Sequence, residues 1–457
     1  MKTSMPKVTV RLARLSALTA AILATGAQAA ELTGFALLPA NTFAVGPTSG
    51  QFAGAGAGGN GLPLIDRQPV QGFSGVLNGP TRNSFYVMPD NGFGTKGNSA
   101  DTLLRMYAVR PDFKSWNGSK VAGSGSVTPV DFESGEKLAG FSRKSFISLR
   151  DPQQNVGFPI VAGQTHYPNG AGDIAVDPGI QKKRLLTGSD FDIEAVRRDK
   201  NGNLWFGEEF GPFLLKADHE GKVLRSEIAT PNIVPPGSTA SGAEVMSPQN
   251  PYLAGNAANL GGSRGFEGMA INPAGDTLYT LLEGTVTGDN SINGSVNKIL
   301  RINEFDIGSE SYTANHWLYQ LEANGTNIGD MTAINDHQFI VIERNGGTAT
   351  NGTPFKKLYL ADIGGVANGG FARKTELADL MNIADPHDLN GDGSTTFTFP
   401  FVTIEDVLIL DADTLLVLND NNYPGTGGRD QNSDNNEFIK IELDRRLDWQ
   451  RGPSIRR

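Results

Sequence analysis

Nine carboxylates recur along this chain at spacings that could gather them into one site for a hard cation. They belong to five copies of a unit in which a Gly, Asp or Glu opens a short apolar run. A second apolar run then ends on an acid, 13 to 16 residues later. The pairs are Gly75 with Asp90, Glu194 with Glu209, Glu267 with Glu283, Asp330 with Glu343 and Glu405 with Asp420. Like charges crowded together must be neutralised by protons or cations. A ligand set made only of oxygen selects calcium, which takes about six to eight oxygens in flexible geometry. The first copy has Gly75 where the others open on an acid, so the set is not uniform.

The same unit says how the acids meet. AVRRD-KNG-NLWFG and VLILD-AD-TLLVL read as strand, polar turn, strand, and strands joined by so short a turn run antiparallel. Both acids of a copy then share one edge of their sheet, and copies arranged radially bring all nine to one mouth of a central channel. Further strand-like runs follow the hairpins, such as LLRMYAVRPDF, FLLKADHEGKVL, NKILRINEF and KKLYLADI. Three or four strands per repeat make a propeller blade. The chain is therefore read as all-β, with a single β-propeller over residues 30–445. The spacing favours six blades, with five or seven left open. Residues 31–46 and 436–443 are expected to pair into a closing blade from both chain ends. SFISLRDP (145–152) marks a degenerate blade or an insertion. KTELADLMNI (374–383) is the one convincing short helix, and the basic residues 446–457 are expected to form a loosely held tail.

Other groups carry chemistry outside the pairs. Asp388-Leu-Asn390-Gly-Asp392-Gly393 matches the first half of a D-x-[DN]-x-[DN]-G calcium loop, placing Asp388, Asn390 and Asp392 as ligands. Its twelfth residue is Phe399 rather than a bidentate Glu and no exit helix follows, so a calcium site here would take Glu405 or Asp406 as a late ligand, and a plain Asx-rich turn is the alternative. Arg344 follows Glu343, Arg264 precedes Glu267 by three, and Arg429 lies nine beyond Asp420. Each either compensates acids or clamps a phosphate or carboxylate beside a metal. His166 and His387, in polar loops within reach of the mouth, are general acid–base candidates. Gly56-x-Gly58-x-x-Gly61 lacks the strand-to-helix context of a dinucleotide site. Gly261-x-Ser263-x-Gly265 leads into an acid-bearing strand rather than the helix a nucleophile elbow needs.

The N-terminus reads as a processing signal. Lys2, Lys7, Arg11 and Arg14 precede the apolar run LSALTAAILA, and Ala27-Gln28-Ala29 supplies a small-x-small cleavage site. A mature chain starting at Ala30 would be periplasmic or secreted. Cleavage removes four basic side chains and no acid, taking the formal charge from −10 to −14. That argues against nucleic acid or anionic lipid as the partner, and no later run is long and apolar enough to span a membrane. With no cysteine, thiol chemistry and Cys-based metal sites are excluded. The 57 glycines in 457 residues fit a turn-rich all-β fold, since aromatic and β-branched residues remain plentiful.

TGSDFDIEAVRRDKNGNLWFGEEFGPFLLKAD, RGFEGMAINPAGDTLYTLLE and NDNNYPGTGGRDQNSDNNEFIKIEL resemble the phytase-like family, also called the esterase-like phytase domain, over roughly residues 69 to 445. The resemblance implies a secreted propeller whose Asp and Glu hydrolyse phosphate esters. It rests on Asp192, Glu194, Glu208, Glu209, Glu267, Glu283, Glu405 and Asp420. The expected enzyme is a monomeric, calcium-dependent hydrolase of a small phosphorylated ester. Glu209, Glu267 and Glu283 lead the metal ligands, with Asp90, Glu343, Glu405 and Asp420 beside them. Glu194 is the base, and Glu208, Arg344 and His166 are further catalytic candidates. Two other readings share the ring: a calcium-dependent lactonase or carboxylesterase-like propeller, with Asn91, Asn419 and Asn421 assisting, and a non-catalytic binding propeller with structural calcium. No dense Lys/Arg cluster of the kind that would grip a multiply phosphorylated inositol is present.

Overall fold

The computed structural model describes residues 30–53, 61–168, 173–425, 428–429 and 433–452. The segment read as a signal peptide, together with Gly56 and Gly58, lies outside them. Runs rich in Val, Ile, Leu, Phe and Tyr form the strands. Those nearest the middle are buried on both faces, as in Phe73–Asn78, Ile193–Arg198 and Phe266–Ile271. A strand covered on both sides reads as continuous apolar sequence rather than alternation.

Five units follow in chain order, each opening on one of the hairpins. The first contains Phe73–Asn78, Phe85–Pro89, Arg105–Asp112 and Ser126–Pro129. The second runs Ile193–Arg198, Leu204–Glu208, Phe213–Ala217, Ile228–Ala229, and the third Phe266–Ile271, Thr277–Leu282, Ile299–Asp306, Ser311–Gln320. The fourth is Asn327–Ala333, Gln338–Arg344, Lys356–Asp362, Arg373–Asp379. The fifth takes Thr403–Ile409, Thr414–Asp420 and Asn436–Glu442 from the C-terminal region and Glu31–Leu38 from the N-terminal one. The expected pairing of the two chain ends is present, antiparallel from Glu31 opposite Glu442 to Leu38 opposite Asn436.

The first strands of the five units neighbour one another in a closed circle, the fifth returning to the first. Five apolar cores fill the five interfaces between successive units. Met88 and Phe206 share the core between the first and second, for example, and Val87 and Leu418 share that between the fifth and first. Among the described residues this propeller closes with five units, one fewer than the six that the spacing favoured. The segments held in reserve for a sixth are spent elsewhere. Glu31–Leu38 completes the fifth unit, and SFISLRDP supplies Phe146–Ser148, which shares the outer side of Arg105–Asp112 with Ser126–Pro129.

Two further expectations change. KTELADLMNI is extended rather than helical, because Arg373–Asp379 pairs along the free edge of Lys356–Asp362. A sheet edge offers every backbone group a partner, and it overrides local helix propensity. The α-helix among the described residues is Pro178–Lys183, with Pro at its first position and Asp177 capping Gly179 N–H at 2.7 Å. The C-terminal segment is tied down as far as residue 450. Leu447 is buried, Gln450 N–H donates to Ile334 C=O at 2.8 Å, and Trp449 packs on the core between the fourth and fifth units.

Candidate functional site

Every hairpin is irregular at the same place. The ladder slips between Phe73 and Gly75, Ile193 and Ala195, Phe266 and Gly268, Ile328 and Met331, and Ile404 and Asp406. The extra residues are Ser74, Glu194, Glu267, Gly329 and Glu405. A bulge re-aims its side chain and bends the strand, and here it turns the bulged residue toward the axis. The residue just past the register partner on the second strand is Asp90, Glu209, Glu283, Arg344 and Asp420 in turn.

This frame corrects two of the five sequence pairs. The first unit contributes Ser74, not Gly75, and its hydroxyl donates to Glu405 Oε2 at 2.8 Å. In the fourth unit both acids miss the mouth by one residue. Glu343 instead accepts bonds from Tyr319 Oη at 2.9 Å, Lys374 Nζ at 2.7 Å and Glu322 N–H at 2.6 Å. Asp330 lies on the channel side below: Arg197 reaches it at 2.7 Å from the second unit, and Val407 N–H of the fifth donates to it at 3.1 Å. That tie bridges the channel under the ring. Gly329 and Arg344 take the mouth positions that the two acids were expected to fill.

The remaining acids do converge. One oxygen each from Asp90, Asp192 and Glu194 lie within 4.8 Å of one another, and so do one each from Glu209, Glu267 and Glu283. Glu405 and Asp420 complete the circle. Arg344 stands buried among them, its Nη2 at 3.1 Å from Glu267, 3.3 Å from Glu283 and 3.1 Å from Glu405. At the rim Arg264 donates to Glu283 at 2.6 Å, and Asn327 donates to the same carboxylate at 2.5 Å.

Eight carboxylates thus face two guanidinium groups, and most of the acids are pushed toward their protonated forms. Burial raises Asp192 to about 6 and Glu405 to about 8, with Asp420 adding to the latter and Arg344 opposing it. Glu194 is raised well above its usual range by burial and by Asp192, and Glu267 by burial and by Glu405. Burial followed by Glu283 does the same to Glu209, and burial followed by Asp420 to Asp90. Burial opposes the charge on Arg344, yet Glu267, Glu405 and Glu283 outweigh it and hold the proton more tightly than usual. Asp192 Oδ1 and Glu267 Oε2 are buried with no hydrogen-bond partner. Orphaned carboxylate oxygens in each of two convergent triads are a donor set that fits a hard divalent cation.

The other candidates are placed elsewhere. Glu208 accepts from Phe210, Gly211 and Phe213 N–H at 2.7–2.8 Å and so pins the turn that follows its strand. His166 is exposed and bonds its neighbour Thr165, while His387 stacks on Trp116 with ring centroids 4.1 Å apart. Asp388 and Asp392 spend oxygens on the amides of Gly393 and Ser394, and Asn390 bonds Asp392. That loop is a self-bonded Asx turn. Arg429 pairs with Glu437 at 2.7 Å. Asn421 and Asn419 support backbone, accepting from Gly72 and Glu437 N–H respectively. Ser74 was missed, although a signal for it existed. Counting two residues back from the buried Val76, Val196, Met269, Met331 and Val407 gives the bulge position in every copy.

The chain is 26% identical over 172 residues to an uncharacterized secreted protein of Arthroderma benhamiae, a match covering 35% of this chain and 31% of that one. Among solved structures it is similar to a calcium-binding protein, regucalcin, from Agrobacterium tumefaciens. The identity is 11% and the TM-score 0.35, over 90% of this chain and 99% of the other. It is also similar to the PQQ-bound aldose sugar dehydrogenase of Streptomyces coelicolor, with 10% identity, TM-score 0.33 and coverage of 91% and 100%. The sequence profile of phytase-like proteins, described as esterase-like activity of phytase, matches residues 68–423, most of the chain and all five hairpins: the protein belongs to the phytase-like family.

Proposed function

We propose that this chain is an exported, metal-dependent hydrolase of phosphate esters acting at the acid-lined mouth. The observation that carries this reading is the pair of convergent carboxylate triads, one half-buried at Asp90 and the other buried and held by Arg344, with Asp192 Oδ1 and Glu267 Oε2 left without partners. Glu209, Glu267 and Glu283 would hold the cation, calcium being favoured by an all-oxygen set. Bound there, it would offset the acid charge that otherwise repels a phosphate and would draw electron density from the ester phosphorus. Glu194, which burial beside Asp192 makes the stronger base once its own proton is lost, takes a proton from water as its oxygen attacks phosphorus. The P–O bond to the alcohol breaks, and the alcohol leaves with a proton from solvent. Arg344 holds Glu267, Glu283 and Glu405 in fixed positions throughout. Export is supported by residues 1–29 and by similarity to a secreted relative.

The test is turnover of p-nitrophenyl phosphate, bis-p-nitrophenyl phosphate, phytate and a lactone panel, with calcium and with chelator. Calcium-dependent release from a phosphate ester supports the reading. Turnover confined to lactones moves the chemistry to carboxylic esters. No turnover of any substrate, with calcium still bound, leaves a binding propeller.

A further inference from the structure

The ring has a gap on one side. The residue opposite the second mouth residue of each hairpin is Asp192, Gly265, Asn327 and Thr403 in the second to fifth units and Gly72 in the first. A β-carbon at Gly265 would strike the backbone of Glu209 at 2.4 Å, so only Gly72 borders open space beside the acids. Gly72 has φ +66°, and a β-carbon there would lie 3.0 Å from Asp420 Oδ1 and 3.3 Å from Asp90 Oδ1. A side chain would therefore fill the space where these two carboxylates approach. From that space a side pocket of about 210 Å³ runs outward between the mouth loops of the first and fifth units. Phe93 and Tyr423 line it, with the backbone of Gly92, Gly94 and Gly425. The two rings belong to a small apolar cluster with Ala53, Phe43 and Leu62, separate from all five inter-unit cores. Tyr423 meets Phe43 edge to face at 6.1 Å. The cluster brings the mouth loops of the first and fifth units together, and the pocket places its two rings in one lining with Asp90 and Asp420.

We infer that this pocket binds the alcohol portion of the ester, and that it takes a compact, uncharged, ring-bearing group such as an aryl alcohol. The inference rests on the hydrolase reading for the word ester, and on the cavity itself for the group's chemistry. Aromatic walls favour a flat ring, which stacks or meets them edge to face. The volume is below the roughly 300–1,000 Å³ that houses drug-sized ligands, so one ring fits and a large substituted one does not. Among the described residues the charged side chains lining the pocket are both acidic, Asp90 and Asp420. A group bearing further phosphates would meet no cationic side chain there. The same wall chemistry therefore selects against a multiply phosphorylated inositol.

Calorimetric titration with two non-hydrolysable probes, phenylphosphonate and methylphosphonate, tests this in the presence of calcium. The full mature chain, Tyr423→Ala and Tyr423→Phe are compared, with thermal melts to confirm folding. Phenylphosphonate should bind about tenfold or more tightly than methylphosphonate, as expected for burying one ring. That ratio should fall to within about twofold in Tyr423→Ala and persist in Tyr423→Phe. Inositol hexakisphosphate should compete no better than methylphosphonate. Equal binding of the two phosphonates by the wild type, or a ratio unchanged in Tyr423→Ala, overturns the pocket assignment. Phenyl phosphate turnover is read separately. Discrimination without turnover keeps the pocket and removes the hydrolase, whereas turnover without discrimination does the reverse.

Discussion

At the scale of single residues, Arg344 decides the electrostatics of the mouth. It occupies the slot that four other units give to an acid, so the ring carries its own counterion. Removing one partner of a buried charge cluster costs about 3–5 kcal/mol because the remaining charges stay buried and unpaired. Arg344→Gln should therefore lower chelator-treated stability by about that amount in chemical denaturation, while Glu220→Gln, on an exposed turn, should stay within about 0.5 kcal/mol. The acids themselves set a pH dependence. Glu405 is raised from 4.5 to about 8 and Asp192 from 3.8 to about 6, so between those limits the folded chain holds protons that the unfolded chain has released. Stability then falls as pH rises, and in chelator the melting temperature should drop from about pH 5 to pH 8. Calcium binding only the folded form should reverse that drop at pH 7, by about 2.7 kcal/mol at a hundredfold excess over Kd. Glu267→Gln or Glu283→Gln should blunt the calcium response. A chelator melt that rises over this interval would show that the acids do not share one buried site.

At the scale of elements, the bulge matters more than the strand. A regular ladder would send successive side chains to alternate faces, and Glu194, Glu267 and Glu405 reach the mouth because each sits at an extra residue. The fourth unit shows the limit of that device. Its bulge residue is Gly329, whose added β-carbon would fall 1.8 Å from Ile404 C=O, so no acid can stand there. Gly329→Ala should cost about 3 kcal/mol or more through backbone displacement. Gly346→Ala, where an added β-carbon meets nothing within 4 Å, should cost less than about 0.5 kcal/mol. Equal effects of the two in urea denaturation would mean that the inner strands of the fourth and fifth units are not so closely packed.

At the scale of the whole molecule, closure depends on one strand from each end of the chain. Glu31–Leu38 buries Leu32, Phe35, Ala36 and Leu38 and gives the fifth unit its outer edge. Phe35 packs against Phe397 at 6.0 Å, edge to face, and belongs to the core between the fourth and fifth units. Phe35→Ala should cost about 3–5 kcal/mol. Because the strand lies on the outer side of its sheet, the loss should be equal with calcium and with chelator. A loss seen only in chelator would mean that ring closure and the acid site are coupled.

Much of this was legible in the residues themselves. Continuous apolar runs broken by Asn, Asp and Gly turns specify antiparallel hairpins through local chemistry alone, and their repetition specifies a radial array. The pairing of residues 31–38 with 436–442 could be read as well, because both were strand-like runs without a partner nearby in sequence. What lay beyond reach was register. Whether Gly75 or Ser74, Glu343 or Arg344 faces the axis turns on a single extra residue per hairpin, and a slip of one reverses which face a side chain takes. The number of units was hidden for a similar reason: an orphan strand such as Phe146–Ser148 looks the same in sequence whether it opens a new sheet or shares an old edge. Local sequence therefore decided the elements and the kind of chemistry at the mouth. Tertiary packing decided which eight acids meet, that an arginine stands among them, and that five units are enough to close the circle.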